Sequence, residues 1–107
     1  MDSRLTRYYQ ILSSLQKHLK TYAEKKWSCH LTTWINELPK LSDMEVNSHL
    51  QRTRKALGGM GSIGDIVICP ENGHIISANE NEITKANDQL RKLVNELASE
   101  INDILHH

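Results

Sequence analysis

Leu5, Tyr8, Leu12, Leu15, Leu19 and Tyr22 follow one another at spacings of 3, 4, 3, 4 and 3, which puts all six on one stripe of an α-helix. Asp2 or Ser3 can accept hydrogen bonds from the unpaired first-turn amides, so the pattern predicts a first helix over about residues 3–26. The phase slips at Trp27. Ser28 is then placed to cap a second helix carrying Leu31, Trp34, Ile35 and Leu38, and Pro39 closes it. No glycine or proline forces a break near Trp27, so one long helix kinked there is the alternative. Ser42 and Glu45 have the Ser-x-x-Glu spacing in which each side chain satisfies the other residue's free amide, and a third helix is expected to start there. Val46, Leu50, Thr53 and Leu57 continue it, with Arg52, Arg54 and Lys55 near its negative end and Gly58 or Gly59 as a left-handed stop.

Beyond the third helix the period changes. Asp65–Cys69 and His74–Ile76 are β-branched runs separated by Pro70-Glu71-Asn72-Gly73, a turn-forming tetrapeptide, and together they read as a β-hairpin. A lone hairpin is marginal in water, so its isoleucines need helices to pack on. From Asn79, with Glu82 three residues later, Ile83, Ala86, Leu90, Leu93, Leu97, Ile101 and Ile104 form a stripe to the end of the chain. That predicts a last helix of about 26 residues, roughly 39 Å long. The expected fold is mainly α: one domain over residues 1–107, an antiparallel bundle of three or four helices with a β-hairpin inserted before the long C-terminal helix.

Composition narrows the class without naming a function. A chain of 107 residues buries about two thirds of its unfolded surface, enough for one core. The longest apolar run is Ile66–Cys69, far short of the roughly 20 residues a membrane-spanning helix needs. No apolar signal segment is read at the N-terminus, so a cytoplasmic setting with Cys29 and Cys69 as reduced thiols is expected. The zero net charge hides a polarity: residues 1–57 carry ten bases and five acids, residues 58–107 three bases and eight acids. The two halves are expected to pack against one another, and failing that to present surfaces of one sign to a partner.

The segment from Gly58 to Asp65 holds four of the five glycines. A phosphate cradle needs a strand before the loop, a helix after it and a Gly-Lys-Ser/Thr ending; here the order is reversed and the lysine is missing. The segment is expected to serve as a helix stop and connector, with Gly59, Met60, Gly61, Ser62 and Asp65 as candidate binding residues and Asp65 accepting amides of the turning backbone. Cys29-His30 and Cys69 with His74 lack the paired spacings of a zinc site, and neither a metal nor a cofactor is expected. His18 and His49 are expected at surface or boundary positions. No base, nucleophile and acid converge on one place, so no catalytic residue is named and no enzyme is expected. The second and third helices with Arg52, Arg54 and Lys55 superficially match a helix-turn-helix, but a pI of 7.0 and few aromatics argue against nucleic acid.

The stretch GGMGSIGDIVI after a basic helix, with Trp27 and Trp34 before it and Asn-Gly-His after it, resembles an uncharacterised family of small bacterial proteins. The resemblance rests on Gly-Gly-Met-Gly-Ser followed two residues later by Asp and an apolar strand, matched by Gly58–Ser62 and Asp65–Val67, and it spans about residues 27–76. The chain departs from that pattern at Gly64, where a polar residue such as asparagine is expected, and at Leu57, where an aromatic is common. The resemblance implies a bacterial source and a shared structural signature, and no activity. The expected function is a protein-binding module, an inhibitor of the immunity or antitoxin kind, with a homodimeric structural or regulatory protein as the alternative and no small-molecule ligand or membrane partner.

Overall fold

A computed structural model describes residues 2–59 and 61–106. Asp2 accepts from the Arg4 amide (2.9 Å) and starts a 3-10 turn over Ser3–Leu5 that runs into helix α1, Thr6–Thr21. Its stripe is buried as expected: Leu5, Tyr8, Leu12, Leu15 and Leu19 are all inside, joined by Ile11.

α1 ends several residues before the expected boundary because Ala23 adopts a left-handed conformation, φ +61°. The Ala23 amide donates to the Lys20 carbonyl (3.1 Å) and the Glu24 amide to that of Leu19 (2.9 Å), the paired closure usually built around glycine. Glu24 then caps α2, Lys25–Glu37, by accepting from the Trp27 amide at 3.0 Å. The chain therefore breaks fully, and it does so at residues 22–24 rather than at Trp27. A 3-10 turn at Leu38–Lys40 containing Pro39 leads to α3, Asp43–Leu57. The Ser42 amide donates to the Glu45 carboxylate (3.1 Å), as does the Ser42 hydroxyl (2.8 Å), and these bonds hold that carboxyl below its ordinary pKa.

The expected β-hairpin is absent: no strand occurs among the described residues, which is a helical fold with short 3-10 turns at Ile63–Asp65 and Pro70–Asn72. The tetrapeptide does turn the chain, and the His74 amide donates to the Cys69 carbonyl across it (3.3 Å), but beyond that junction the flanking runs bond to helices and form no ladder. Ile68 donates its amide to the Asn87 side-chain oxygen (2.7 Å) and accepts from the Asn87 side-chain nitrogen (2.9 Å), so one amide side chain replaces a neighbouring strand. The Ile75 amide donates to the Tyr22 carbonyl at the end of α1 (2.9 Å). Ile66, Val67 and Ile68 still alternate half-buried, exposed and buried, as an extended segment does when one face lies on a core.

Helix α4, Glu80–Leu105, is capped by the Asn79 side chain, which accepts from the amides of Asn81 and Glu82. Its stripe is buried from Ala86 to Ile104, while Ile83 is half exposed. α1 lies at the centre, packed on α2 along one side and α4 along another, and α3 packs on α4. The molecule measures 45 × 23 × 22 Å with a radius of gyration of 14.2 Å, above the roughly 13 Å expected of a sphere-like domain this long. Elongation leaves α2 at the periphery. Among the described residues no helix is long and apolar enough to cross a membrane.

Candidate functional site

The glycine-containing connector satisfies itself. Asp65 accepts from the Gly61 amide (3.1 Å), the Ser62 hydroxyl donates to the Gly59 carbonyl (2.6 Å), and Arg91 of α4 donates to the Gly64 carbonyl (3.2 Å). Ser62 is buried, Asp65 and Gly61 are exposed, and Met60 lies outside the described residues. The stop is made by Gly59, at φ +96°, whereas Gly58 is extended at φ −127°. Gly64 is needed for a different reason: a β-carbon there would stand 2.2 Å from the Leu57 carbonyl oxygen. The two positions that depart from the resembled pattern, Leu57 and Gly64, thus touch each other. Of the expected binding residues, Gly59, Gly61, Ser62 and Asp65 are brought together, and their polar atoms are engaged mainly with one another.

A second constellation was not legible as such. Tyr8 of α1 and His49 of α3 are 0% and 1% exposed; the phenol donates to Thr53 Oγ1 (3.0 Å) and its oxygen lies 2.7 Å from His49 Nε2. On the other side His49 Nδ1 lies 2.5 Å from the Glu37 carboxylate at the end of α2, which also accepts from Arg52 at 3.3 Å. Burial pushes the His49 pKa below its ordinary value against the opposing pull of Glu37, and burial pushes the Tyr8 phenol well above its own. A carboxylate, an imidazole and a hydroxyl in line resemble a nucleophile relay. Here the hydroxyl is sealed in the core, so the chain of bonds ties α1, α2 and α3 together. His49 is correspondingly a core residue and not the boundary residue its sequence position suggested.

The outer flank of α2 is organised differently. Trp27, His30 and Trp34 recur at spacings of 3 and 4, and their ring centroids lie 5.1 Å (Trp27 to His30), 6.2 Å (His30 to Trp34) and 6.5 Å (Trp27 to Trp34) apart. Leu31 is turned inward and buried, the two tryptophans are half-buried, and His30 is exposed. The Lys26 ammonium sits 5.3 Å from the Trp27 ring, within cation–π range. Lys25 and Lys26 are exposed, and no acid on α2 is exposed, because Glu37 is drawn to His49 and Arg52. Glu24 is also occupied, between the Trp27 amide and His74 at 3.5 Å. That contact sets His74 and the 74%-exposed Ile75 at the same end of the molecule as Trp27. The sequence places only Trp34 in the apolar stripe of the second helix, with Trp27 at the phase slip; in the structure both tryptophans pack partly against the core.

The remaining candidates are dispersed. His18 Nε2 bonds the Ala86 carbonyl of α4 (2.8 Å), and the Cys69 amide donates to His74 Nδ1 (3.2 Å). Cys29 and Cys69 are free thiols, and no group of three or more metal-ligating side chains occurs among the described residues. A groove of about 400 Å³ between α1 and α2 is bordered by Lys20, Lys25 and Cys29, on the flank of α2 opposite the aromatic stripe.

These features define a small helical protein with a self-satisfied connector and an aromatic stripe on α2 flanked by Lys26. Residues 14–77 match the family described as a domain of unknown function, DUF6966, and the chain belongs to that family. The match contains α2, α3 and the connector and stops short of α4. No curated protein and no solved structure matches the chain.

Proposed function

We propose that this protein is a non-enzymatic binding module whose partner is another protein and whose contact surface is the outer flank of α2. The observation that carries the reading is the Trp27–His30–Trp34 stripe: two tryptophans at the edge of the core, each only partly buried, on a helix packed chiefly on one neighbour. Tryptophan anchors are enriched among the residues that dominate interface energetics, and each buries a large apolar area when a partner covers it. Shallow grooves beside flat helix faces suit docking better than enclosure of a small substrate. The burial of the Tyr8 hydroxyl supports the non-enzymatic reading, since the one imidazole-linked hydroxyl among the described residues is out of a substrate's reach.

On this reading the family is bacterial, with the glycine connector as its shared signature, and the protein acts in the cytoplasm. An inhibitor of the immunity or antitoxin kind fits the chain's size and its opposed charges. The connector serves the fold before recognition, because its carboxylate and hydroxyl are engaged internally.

The test is photo-crosslinking in the source cells from a photoreactive residue at Thr33, exposed beside Trp34 on α2. A discrete crosslinked protein of a different sequence is expected, with a yield that falls when Trp34→Ala is added. Crosslinks only between copies of this chain establish the homodimer instead, and an absence of protein crosslinks overturns the reading.

A further inference from the structure

We infer that the outward face of α1 is a contact surface between two copies of this chain, which associate about a two-fold axis so that a basic groove on each meets an acidic groove on the other. Thr6, Gln10, Ser14, Lys17 and Thr21, at spacings of 4, 4, 3 and 4, are all exposed on the side of α1 away from its buried stripe. At about 100° per residue, Lys20 and Arg7 fall on opposite shoulders of that stripe. The groove of about 400 Å³ between α1 and α2 lies on the Lys20 shoulder, near the C-terminal end of α1, where Lys20 and Lys25 border it and no acid does. Its uncharged polar groups are engaged locally: the Gln16 side-chain nitrogen donates to the Thr32 hydroxyl (3.2 Å) and the Ser28 hydroxyl to the Lys25 carbonyl (3.2 Å). Neither lysine, nor Lys17 a turn away, forms an ion pair among the described residues. On the Arg7 shoulder, near the N-terminal end of α1, a groove of about 350 Å³ against α4 is bordered by Glu96, Glu100 and Asp103 and by one base, Arg7, 4.0 Å from Glu100. Arg4 stands at the same end but is held by Asp2 at 2.8 Å.

The two grooves do not neutralise one another within a molecule. Arg7 and Lys20 are thirteen residues apart, about 20 Å along the helix and twice the Debye length of about 10 Å at 0.1 M salt. One groove therefore keeps two positive charges and the other, with three acids and one base, a surplus of two negative ones. Patches of equal and opposite charge on one face make that face self-complementary. A two-fold axis set midway between them, at right angles to the line that joins them, exchanges the two and forms the same contact twice. The midpoint between Arg7 and Lys20 falls at Ser13 and Ser14, whose short side chains let the two α1 helices cross closely. Lys17 then faces Gln10 of the second copy, so like charges do not meet at the crossing, and the zero net charge of the chain adds no overall repulsion between copies. Because the groove lies on the flank of α2 opposite the aromatic stripe, a protein bound at that stripe leaves the α1 face free.

The test is sedimentation equilibrium of the purified chain over a range of concentrations. A monomer–dimer equilibrium is expected, and its dissociation constant is expected to rise about tenfold when salt is raised from about 0.01 M to 0.15 M, as the Debye length shrinks from about 30 Å to 8 Å. Lys20→Glu with Lys25→Glu makes both grooves acidic, and Glu96→Lys with Asp103→Lys makes both basic. Each double variant alone is expected to be monomeric, and an equimolar mixture of the two is expected to recover the dimer, since every groove then meets one of opposite sign. Lys20, Lys25 and Asp103 are exposed and Glu96 is half-buried at the surface, so the helices persist, which circular dichroism verifies. Ser14→Arg, at the crossing, is expected to keep the chain monomeric by bulk alone.

A parent chain that stays monomeric at millimolar concentration and low salt would overturn the inference. So would a dimer indifferent to both charge reversals, which would place the contact elsewhere on the molecule. Reversed variants that stay apart when mixed would show that the grooves do not meet each other, and species growing beyond the dimer would replace the closed two-fold pair with an open head-to-tail chain; either result rejects the arrangement. None of these outcomes touches the reading of the α2 flank, which the Thr33 crosslink tests by itself.

Discussion

Gly64→Ala separates the conformational from the steric explanation of the glycine segment. The added β-carbon would lie 2.2 Å from the Leu57 carbonyl oxygen. Carbon–oxygen contacts normally begin near about 3.3 Å, so the two backbone stretches must part by roughly 1 Å. Neither can move freely. Leu57 is 7% exposed and the neighbouring Ile63 is 0% exposed, so parting the segments draws one of them out of the core. Forced overpacking of this kind costs about 1–3 kcal/mol, and because the obstacle is backbone we expect about 2–3 kcal/mol. At about 4–8 °C per kcal/mol for a domain of this length, the melting midpoint should drop by about 10–20 °C. A total stability of about 5–15 kcal/mol leaves the variant folded at room temperature and measurable. The assay is calorimetry together with urea unfolding followed by helical circular dichroism. Gly58→Ala is the paired control: nothing lies within 4 Å of its β-carbon and its φ is −127°, so it should be neutral or stabilising by up to about 1 kcal/mol. Melting of Gly64→Ala within about 3 °C of Gly58→Ala would refute the close-approach argument.

Ala23→Gly should raise stability by about 0.5–1 kcal/mol, since relief of a left-handed alanine outweighs glycine's larger unfolded entropy; a lower urea midpoint would contradict this. Tyr8→Phe removes the phenol between His49 and Thr53 and should cost about 1–3 kcal/mol through partners left short in the core, read as a lower melting midpoint with unchanged helical circular dichroism. The His49 pKa is lowered in the folded state, so the unfolded chain takes up this proton first; its contribution is complete above the ordinary value of 6.5 and shrinks as pH falls below it. The urea midpoint should therefore decline from pH 7.5 to pH 5 more steeply in the parent than in His49→Gln, and parallel slopes would exclude His49 as the cause. Asp65→Ala loses one exposed bond to the Gly61 amide and should cost only about 0.5–1 kcal/mol; a loss above about 2 kcal/mol would show that the connector depends on it far more than this geometry allows.

The helices were legible wherever the signal was local. The stripe from Leu5 to Leu19, the Ser42–Glu45 pair, the Asn79 cap and the long α4 all depend on side chains within a few residues of one another, and each recurs in the structure. An uncharacterised family was also expected, and residues 14–77 match one. Three features were decided by residues far apart in sequence. Beyond the Cys69–His74 junction the β-branched runs form no ladder, because Asn87, nineteen residues beyond Ile68, satisfies both backbone groups of that residue, and a strand needs a partner that no local pattern specifies. The break after α1 turns on Ala23, the best helix former, held in a left-handed conformation where the chain reverses to lay α2 on α1. His49 became a core residue because Tyr8, forty-one positions earlier, and Glu37 supply its two ring partners, and only tertiary packing brings three helices to one imidazole. The aromatic stripe follows the same rule: sequence spacing aligned Trp27, His30 and Trp34, and the placement of α2 on α1 determined that the two tryptophans pack partly against the core while His30 is exposed.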